Sequence, residues 1–255
     1  MSAKISIITI TYQAEEYLQR TLDSVHAQGN RDQFEYIIID GNSHDQTMSI
    51  IQNGSIKPDH LISENDRGIY DAMNKGLARA SGEYVMFMNA GDQFASDDTL
   101  KTILNHLSKN PDVLYSDANL VDLKGNFIGK RSEATPHQLP QNLTWRDFKF
   151  GMLICHQAFI CKRSLAPDFS LKYQLSSDID WEINCLKQAK DIKYMPEPIC
   201  NYLMGGASVQ NLKKSWVERF YVLSKHFGLI KTLMNHLVII FRGIRFAYKK
   251  GEKYW

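Results

Sequence analysis

The stretch SENDRGIYDAMNKGLARASGEYVMFMNAGD, residues 63–92, decides how this chain reads. It runs as an acidic loop, a short helix, a turn and a buried strand that stops at a lone carboxylate. Residues 84–88 (YVMFM) form an unbroken apolar run, as expected of a central parallel strand covered on both faces. Asn89-Ala90-Gly91-Asp92 then delivers Asp92 to the end of that strand, the edge at which open α/β sheets bind ligands. A carboxylate in that place either holds a divalent cation over a phosphate or caps the next helix.

Outward from this segment, strand and helix patterns alternate. Residues 5–10 are a β-branched run, and residues 15–28 carry Tyr17, Leu18, Leu22 and Val25 at helical spacing. A second buried strand spans 34–39 and ends at Asp40; a short helix at 45–53 and a third strand at 59–63 follow. The helix at 69–80 begins after Gly68 and is ended by Gly82. Asp97 and Asp98 suit the positive end of a helix reaching Lys109, and 113–116 is another strand. This β-α-β-α order predicts a mostly parallel central sheet flanked by helices, a Rossmann-like α/β layer with right-handed crossovers. After Asp117 the rhythm breaks. Residues 118–150 mix turn signals with short strand-like pieces, a pattern that suits loops shaping a second-substrate pocket. A helix at 176–187, short strands at 192–195 and 199–203, and a Gly205-Gly206-Ala207-Ser208 loop follow. That loop is either a plain turn or a closing loop whose N–H groups bind phosphate.

The chain has 255 residues with 44% hydrophobic and 23% charged content, which fits a soluble protein of one large domain or of a domain with a substantial appendage. Cys155, Cys161, Cys185 and Cys200 show neither CxxC pairing nor metal-ligand spacing, so they read as buried thiols in a reducing compartment. The start, MSAKISIITITY, reads as strand one and not as a signal peptide, which gives a cytoplasmic expectation. The net charge of +2 divides unevenly: from Lys225 onward the chain carries +6, leaving −4 on the body. A mildly acidic body with a basic tail differs from a uniformly basic nucleic-acid binder. Residues 228–248 hold an amphipathic pattern interrupted by Lys231, Asn235 and His236, too short of apolar residues for a membrane span. The tail is either an interfacial helix with its basic end on anionic lipid, or a helix packed on the body.

Tyr12, Asp40, Asp66 and Asp92 fall at the ends of four successive strands. Together they suggest a nucleotide site, with an aromatic to stack on a base, acids for base or ribose, and a metal-holding acid for a diphosphate. At this point ISIITITYQAEEYL (5–18), IIDGNSHDQT (38–47), ENDRGIYDAMNKG (64–76) and GEYVMFMNAGD (82–92) together resemble the family 2 glycosyltransferases. The likeness is to the bacterial polysaccharide-building branch, similar to colanic-acid-type enzymes, and is close over roughly the first 120 residues.

The resemblance implies a GT-A fold, a nucleotide-sugar donor (a UDP-sugar first), a divalent cation (Mn or Mg) and inversion at the anomeric carbon. By position, Tyr12 would lie against the base, Asp40 and Asp66 would serve the nucleoside, Lys75 would either approach the diphosphate or face solvent, and Asp92 would hold the metal. Three departures stand out. Gly41 replaces the second acid that many relatives carry after Asp40, Asn89 and Gly91 leave Asp92 as the sole carboxylate of the metal motif, and Met73 stands where an arginine is usual. The segment Ser176-Ser177-Asp178-Ile179-Asp180-Trp181-Glu182 resembles the family's acceptor-side acidic motif, with Asp178 as catalytic base, Asp180 as its fallback and Trp181 as a sugar-stacking face. The alternative has Asp178 capping its helix and Glu182 in solvent. His156 and Gln157 are assigned to the acceptor pocket, with a metal ligand as a second role for His156.

The expected division is a nucleotide-sugar half at 1–117, an acceptor half at 118–211 and a helical basic tail at 212–255. The expected function is inverting transfer to a glycan or lipid-linked hydroxyl in surface polysaccharide synthesis, on the cytoplasmic face of the plasma membrane with contact through 228–255. A non-catalytic sugar-nucleotide-binding assembly subunit is the second reading. A nucleotidyltransferase ranks last, because Thr11-Tyr12-Gln13-Ala14-Glu15-Glu16 is not a Gly-rich basic loop.

Overall fold

The computed structural model describes residues 4–136, 138–206 and 211–250. Ala207 and Ser208 of the expected Gly-Gly-Ala-Ser loop lie outside the described residues, as do residues 251–255 of the tail.

β1 (Ile5–Thr11), α1 (Leu18–Ala27), β2 (Phe34–Asp40), α2 (Thr47–Asn53), β3 (His60–Ser63), α3 (Ile69–Arg79) and β4 (Tyr84–Phe87) follow the expected alternation. They are succeeded by β5 (Gln93–Phe94), α4 (Thr99–Leu107), β6 (Val113–Tyr115), β7 (Ala118–Val121), β8 (Phe127–Lys130) and the short α5 (Arg131–Ala134). A 3-10 turn at His156–Ala158 leads into β9 (Phe159–Lys162); α6 (Ser177–Gln188), β10 (Ile192–Tyr194), β11 (Cys200–Leu203), α7 (Leu212–Phe227) and α8 (Leu229–Lys250) complete the chain. No helix among the described residues is long and apolar enough to cross a membrane.

Seven strands form the main sheet in the order β10-β6-β9-β4-β1-β2-β3. All residues of β1 and β2 are buried, the polar Ser6, Thr9, Thr11, Glu35 and Asp40 included, so both faces of these strands are covered. The register is tight: Thr11 pairs with Asp40 and Asp40 with Ser63, so the strand ends finish in one row. The sheet is not wholly parallel. β9 enters antiparallel between β4 and β6. Its four residues are too few for their period to mark a strand, and its neighbour in space is far away in sequence. A second, four-stranded sheet, β5-β11-β7-β8, stands beyond the ends of the main strands.

The core also encloses polar side chains, some of them paired. Ser6 donates to Glu35 (2.6 Å), and Ser81 donates to the same carboxylate through its N–H and its hydroxyl (both 2.9 Å). The four cysteines are buried free thiols. Trp181 is also core. It is 1% exposed, stacks on Phe169 at 4.8 Å, meets Phe87 and Phe159 edge-on and donates its indole N–H to the Pro167 carbonyl. This corrects the expectation that it offers a sugar-stacking face: one helical turn buries the side three residues after Asp178. Met73 is likewise fully buried on α3.

Glu182 lies on that buried side too, fully enclosed, with neither carboxylate oxygen hydrogen-bonded. Burial, and next the negative charge of Asp178, push its pKa well above the ordinary 4.5. The folded protein therefore keeps a proton that the unfolded chain releases above pH 4.5, so stability falls as pH rises beyond that value. Denaturant titrations across pH should show Glu182→Gln gaining on the wild type by about 1.4 kcal/mol per pH unit above that point. A pH-independent difference would show that the carboxylate is already ionised in the fold.

Candidate functional site

The loops after β1 and β2 are knitted together at the carboxyl edge of the sheet. Gly41 N–H donates to the Thr11 carbonyl (2.9 Å), Gln13 N–H to the Ser43 hydroxyl (2.8 Å) and Ala14 N–H to the Thr47 hydroxyl (2.8 Å). Between these loops and the loop after β3 opens a cleft of about 660 Å³. Tyr12, Tyr17, Gly41, Asn42, Asp66 and Asn89 are among its lining residues. Tyr12 is 59% exposed and offers its ring to the cleft. Gly41 makes this arrangement possible. A Cβ there would sit 2.5 Å from Asp66 Oδ2 and 3.2 Å from the Tyr12 ring. The missing second acid of the motif thus leaves the room in which Tyr12 and Asp66 approach each other. Asp66 is held by the Gly68 N–H on Oδ1 (2.8 Å).

Two expected donor-side residues are engaged elsewhere. Asp40 is fully buried and accepts from the Ser43 N–H (3.0 Å), the Ser43 hydroxyl (2.5 Å) and the Ser63 hydroxyl (2.6 Å). It fixes the loop that carries Gly41 and Asn42, and the acid facing the cleft is Asp66. Lys75 pairs with Glu64 (2.9 Å) and donates to the Asn65 carbonyl (2.8 Å), which ties α3 to the loop after β3.

At the end of β4 the chain turns at Gly91, whose φ of +100° suits glycine and whose added Cβ would lie 2.8 Å from Leu203. The turn folds Asp92 back beneath the cleft. Only 4% exposed, Asp92 accepts the Gln157 side-chain N–H (2.7 Å) and the Leu203 backbone N–H (2.9 Å). Burial pushes its pKa up to about 6 against the pull of those two hydrogen bonds and of His156 and Arg20. Asn89, expected only as a lost acid, lines the cleft together with Ala90.

The described residues contain no group of three His, Cys, Asp or Glu side chains fit to hold a metal. What the turn does offer is a set of hard oxygens. Asn89 Oδ1 and Gln157 Oε1 are buried without a hydrogen-bond partner, and the Gln157 side chain meets the single Asp92 charge through its N–H. Such a set fits a magnesium or manganese ion that takes its remaining ligands from phosphate and water.

From Asn89 a polar chain leads away from the cleft. Asn89 Nδ2 is 2.9 Å from His156 Nε2, and His156 Nδ1 is 3.6 Å from Asp178 Oδ2. Asp178, in the first turn of α6, accepts its neighbour's Ile179 N–H on Oδ1 (2.9 Å) and remains partly exposed. The buried Tyr70 hydroxyl lies close enough to feel its charge. Burial and then the Asp178 charge raise the pKa of that hydroxyl well above 10, which keeps it a donor. Tyr70 gave no sign in the sequence, since an aromatic on a helix's apolar face reads as core. Asp180 is closed off as a fallback base by Lys225 (2.9 Å) and His226 (2.6 Å).

Residues 6–167, more than half of the chain, match the family described as Glycosyl transferase family 2. An uncharacterized glycosyltransferase of Mycobacterium tuberculosis is 38% identical over 104 residues, so that the chain spans about two fifths of the length of the first curated relatives it matches. A PGL/p-HBAD biosynthesis glycosyltransferase of Mycobacterium bovis is 29% identical over 224 residues, covering 84% of this chain and 82% of the relative. Among solved structures, S. aureus TarS residues 1–349 in complex with UDP has a TM-score of 0.68 at 19% identity, covering 97% of this chain and 74% of that one. The Pyrobaculum calidifontis mannosyltransferase PcManGT in complex with GDP-Man and Mn2+ has a TM-score of 0.63 at 15% identity, covering 98% and 80%. These likenesses extend to the α/β GT-A fold, with its mostly parallel sheet between helices. The chain belongs to glycosyl transferase family 2.

Proposed function

We propose that the protein is an inverting glycosyltransferase that moves a sugar from a nucleoside-diphosphate sugar, a UDP-sugar first, to a hydroxyl of a glycan or lipid-linked acceptor in surface polysaccharide synthesis. The observation that carries this reading is the polar chain from the cleft to Asp178 through Asn89 and His156. Residues 1–117 serve the donor, residues 118–211 the acceptor, and the helical tail at 212–255 peripheral contact with the inner face of the plasma membrane. Complexes of the structural neighbours with UDP and with GDP-Man support a nucleotide-sugar donor.

In the proposed reaction Tyr12 stacks on the base and Asp66 accepts from the nucleoside, while Asp40 keeps their loop in place. The acceptor O–H bond breaks as its oxygen bonds the anomeric carbon, and the proton passes to Asp178 Oδ2. The sugar–diphosphate C–O bond breaks with its electron pair leaving on the diphosphate. The Ile179 N–H occupies Oδ1, and Oδ2, the oxygen that takes the proton, faces His156. A divalent cation, Mn or Mg, would neutralise charge on the departing diphosphate; Asn89 Oδ1, Gln157 Oε1 and Asp92 are the residues that would hold it.

Asp178→Asn should lower kcat by about a hundredfold to ten-thousandfold in a purified transfer assay, with nucleotide binding within about threefold of wild type. Turnover at the wild-type rate in this variant would end the assignment of the base. Gly41→Ala should weaken calorimetrically measured binding of UDP by about tenfold, because its methyl group displaces Asp66. Unchanged affinity would move the nucleoside away from the Tyr12–Asp66 wall.

A further inference from the structure

α8 carries an apolar stripe that turns away from the body. Leu229, Ile230, Leu233, Met234, Leu237, Ile240, Phe241, Ile244 and Tyr248 recur at helical spacing and are all exposed, Ile230 by 75% and Phe241 by 67%. The stripe runs the length of a helix of about 30 Å. Lys231, Arg242, Arg245 and Lys249 form an exposed row along one flank, and α8 holds no Asp or Glu. An isologous contact between two copies along this stripe would bring rows of like charge together. An anionic, hydrocarbon-bearing surface complements both features.

Behind the stripe lies an apolar cavity of about 510 Å³ between α7 and α8. Phe150, Phe220, Ile239 and Gly243 line it, and the exposed Trp216, Val217, Tyr221 and Ile240 continue the stripe into it. Arg242, also part of its lining, places its guanidinium 4.4 Å from the Phe150 ring centre. α7 is fastened beside the proposed base. Ser176 donates to the Ser215 carbonyl (3.2 Å), Leu175 N–H to Glu218 (2.7 Å) and Lys225 to Asp180 (2.9 Å). Residues on both sides of Asp178 are thus held by the helix that forms one cavity wall.

We infer that the α7–α8 cavity takes the hydrocarbon chain of a phosphate-bearing lipid acceptor while the outer stripe of α8 lies in the lipid surface. This rests on the lipid-linked half of the acceptor reading above and makes the chain, not only the sugar, a recognised part of the acceptor. The basic row meets the phosphates of the surface, and the cavity wall formed by α7 is hydrogen-bonded to residues that flank Asp178.

The probe is a long-chain alkyl phosphate with a diazirine at its chain end, carried in vesicles of phosphatidylcholine and phosphatidylglycerol and crosslinked to the full chain. Mass spectrometry should find the label on segments 216–221 and 236–243. Gly243→Phe, which fills the cavity, should reduce that labelling by about tenfold while vesicle and UDP binding stay at wild-type levels. Trp216→Glu, an exposed change at the rim, should reduce it likewise and serves if the first variant does not fold. Label confined to the outer stripe, label indifferent to both variants, or a dimer in light scattering that leaves vesicles unbound would each overturn the inference. Loss of UDP binding in the wild type would instead count against the transferase reading, and the labelling pattern would still report on the cavity.

Discussion

The buried Asp92 carboxylate is the interaction on which the site depends. Its two oxygens accept from Gln157, in the 3-10 turn that precedes β9, and from Leu203, at the end of β11. One side chain thereby joins the end of the central strand to the turn before β9 and to the segment entering the Gly205-Gly206 loop. The same turn is fixed from the opposite side, where the Thr21 hydroxyl accepts from Gly91 N–H and donates to the Asp92 carbonyl. A carboxylate enclosed in this way is costly unless it is hydrogen-bonded or faces a positive charge. Burial raises its pKa to about 6 even so, against the pull of those two hydrogen bonds.

Because the turn is rigid, Asn89 holds a defined position at the cleft wall and carries His156 with it. His156 in turn faces Asp178, whose other contacts come from Tyr70 on α3 and from its own helix. Elements from both halves of the chain therefore converge on one carboxylate across a few ångströms. Groups held in place before the substrate arrives need no rearrangement when it reacts, and this is where most catalytic benefit in such sites originates.

Much of this was legible in the sequence where burial leaves a pattern. The apolar runs of β1, β2 and β4 exist because both faces of those strands are covered, and their ends placed Tyr12, Asp66 and Asp92 at one edge. Asp40 was legible as the end of a strand, but a place at a strand end does not reveal which way the side chain points. Asp40 points into the protein and Asp66 into the cleft, a difference set by the hydroxyls of Ser43 and Ser63. Lys75 reads alike whether it meets a phosphate or Glu64. Trp181 and Glu182 share a helix with Asp178, and only tertiary packing decides which side of that helix is core. β9 and the second sheet rest on pairings distant in the chain, which periodicity does not encode.

The tail follows the same logic with the opposite outcome. The apolar period of α8 is as regular as that of a core helix, yet its stripe faces outward and its basic row lies alongside. Single displacement at the anomeric carbon, with Asp178 as base across from the donor cleft, is tested most directly by the configuration of the product. Proton NMR of the glycoside formed from an α-linked UDP-sugar should show a β-linkage. An α-linkage would contradict a single displacement, and with it the role given to Asp178.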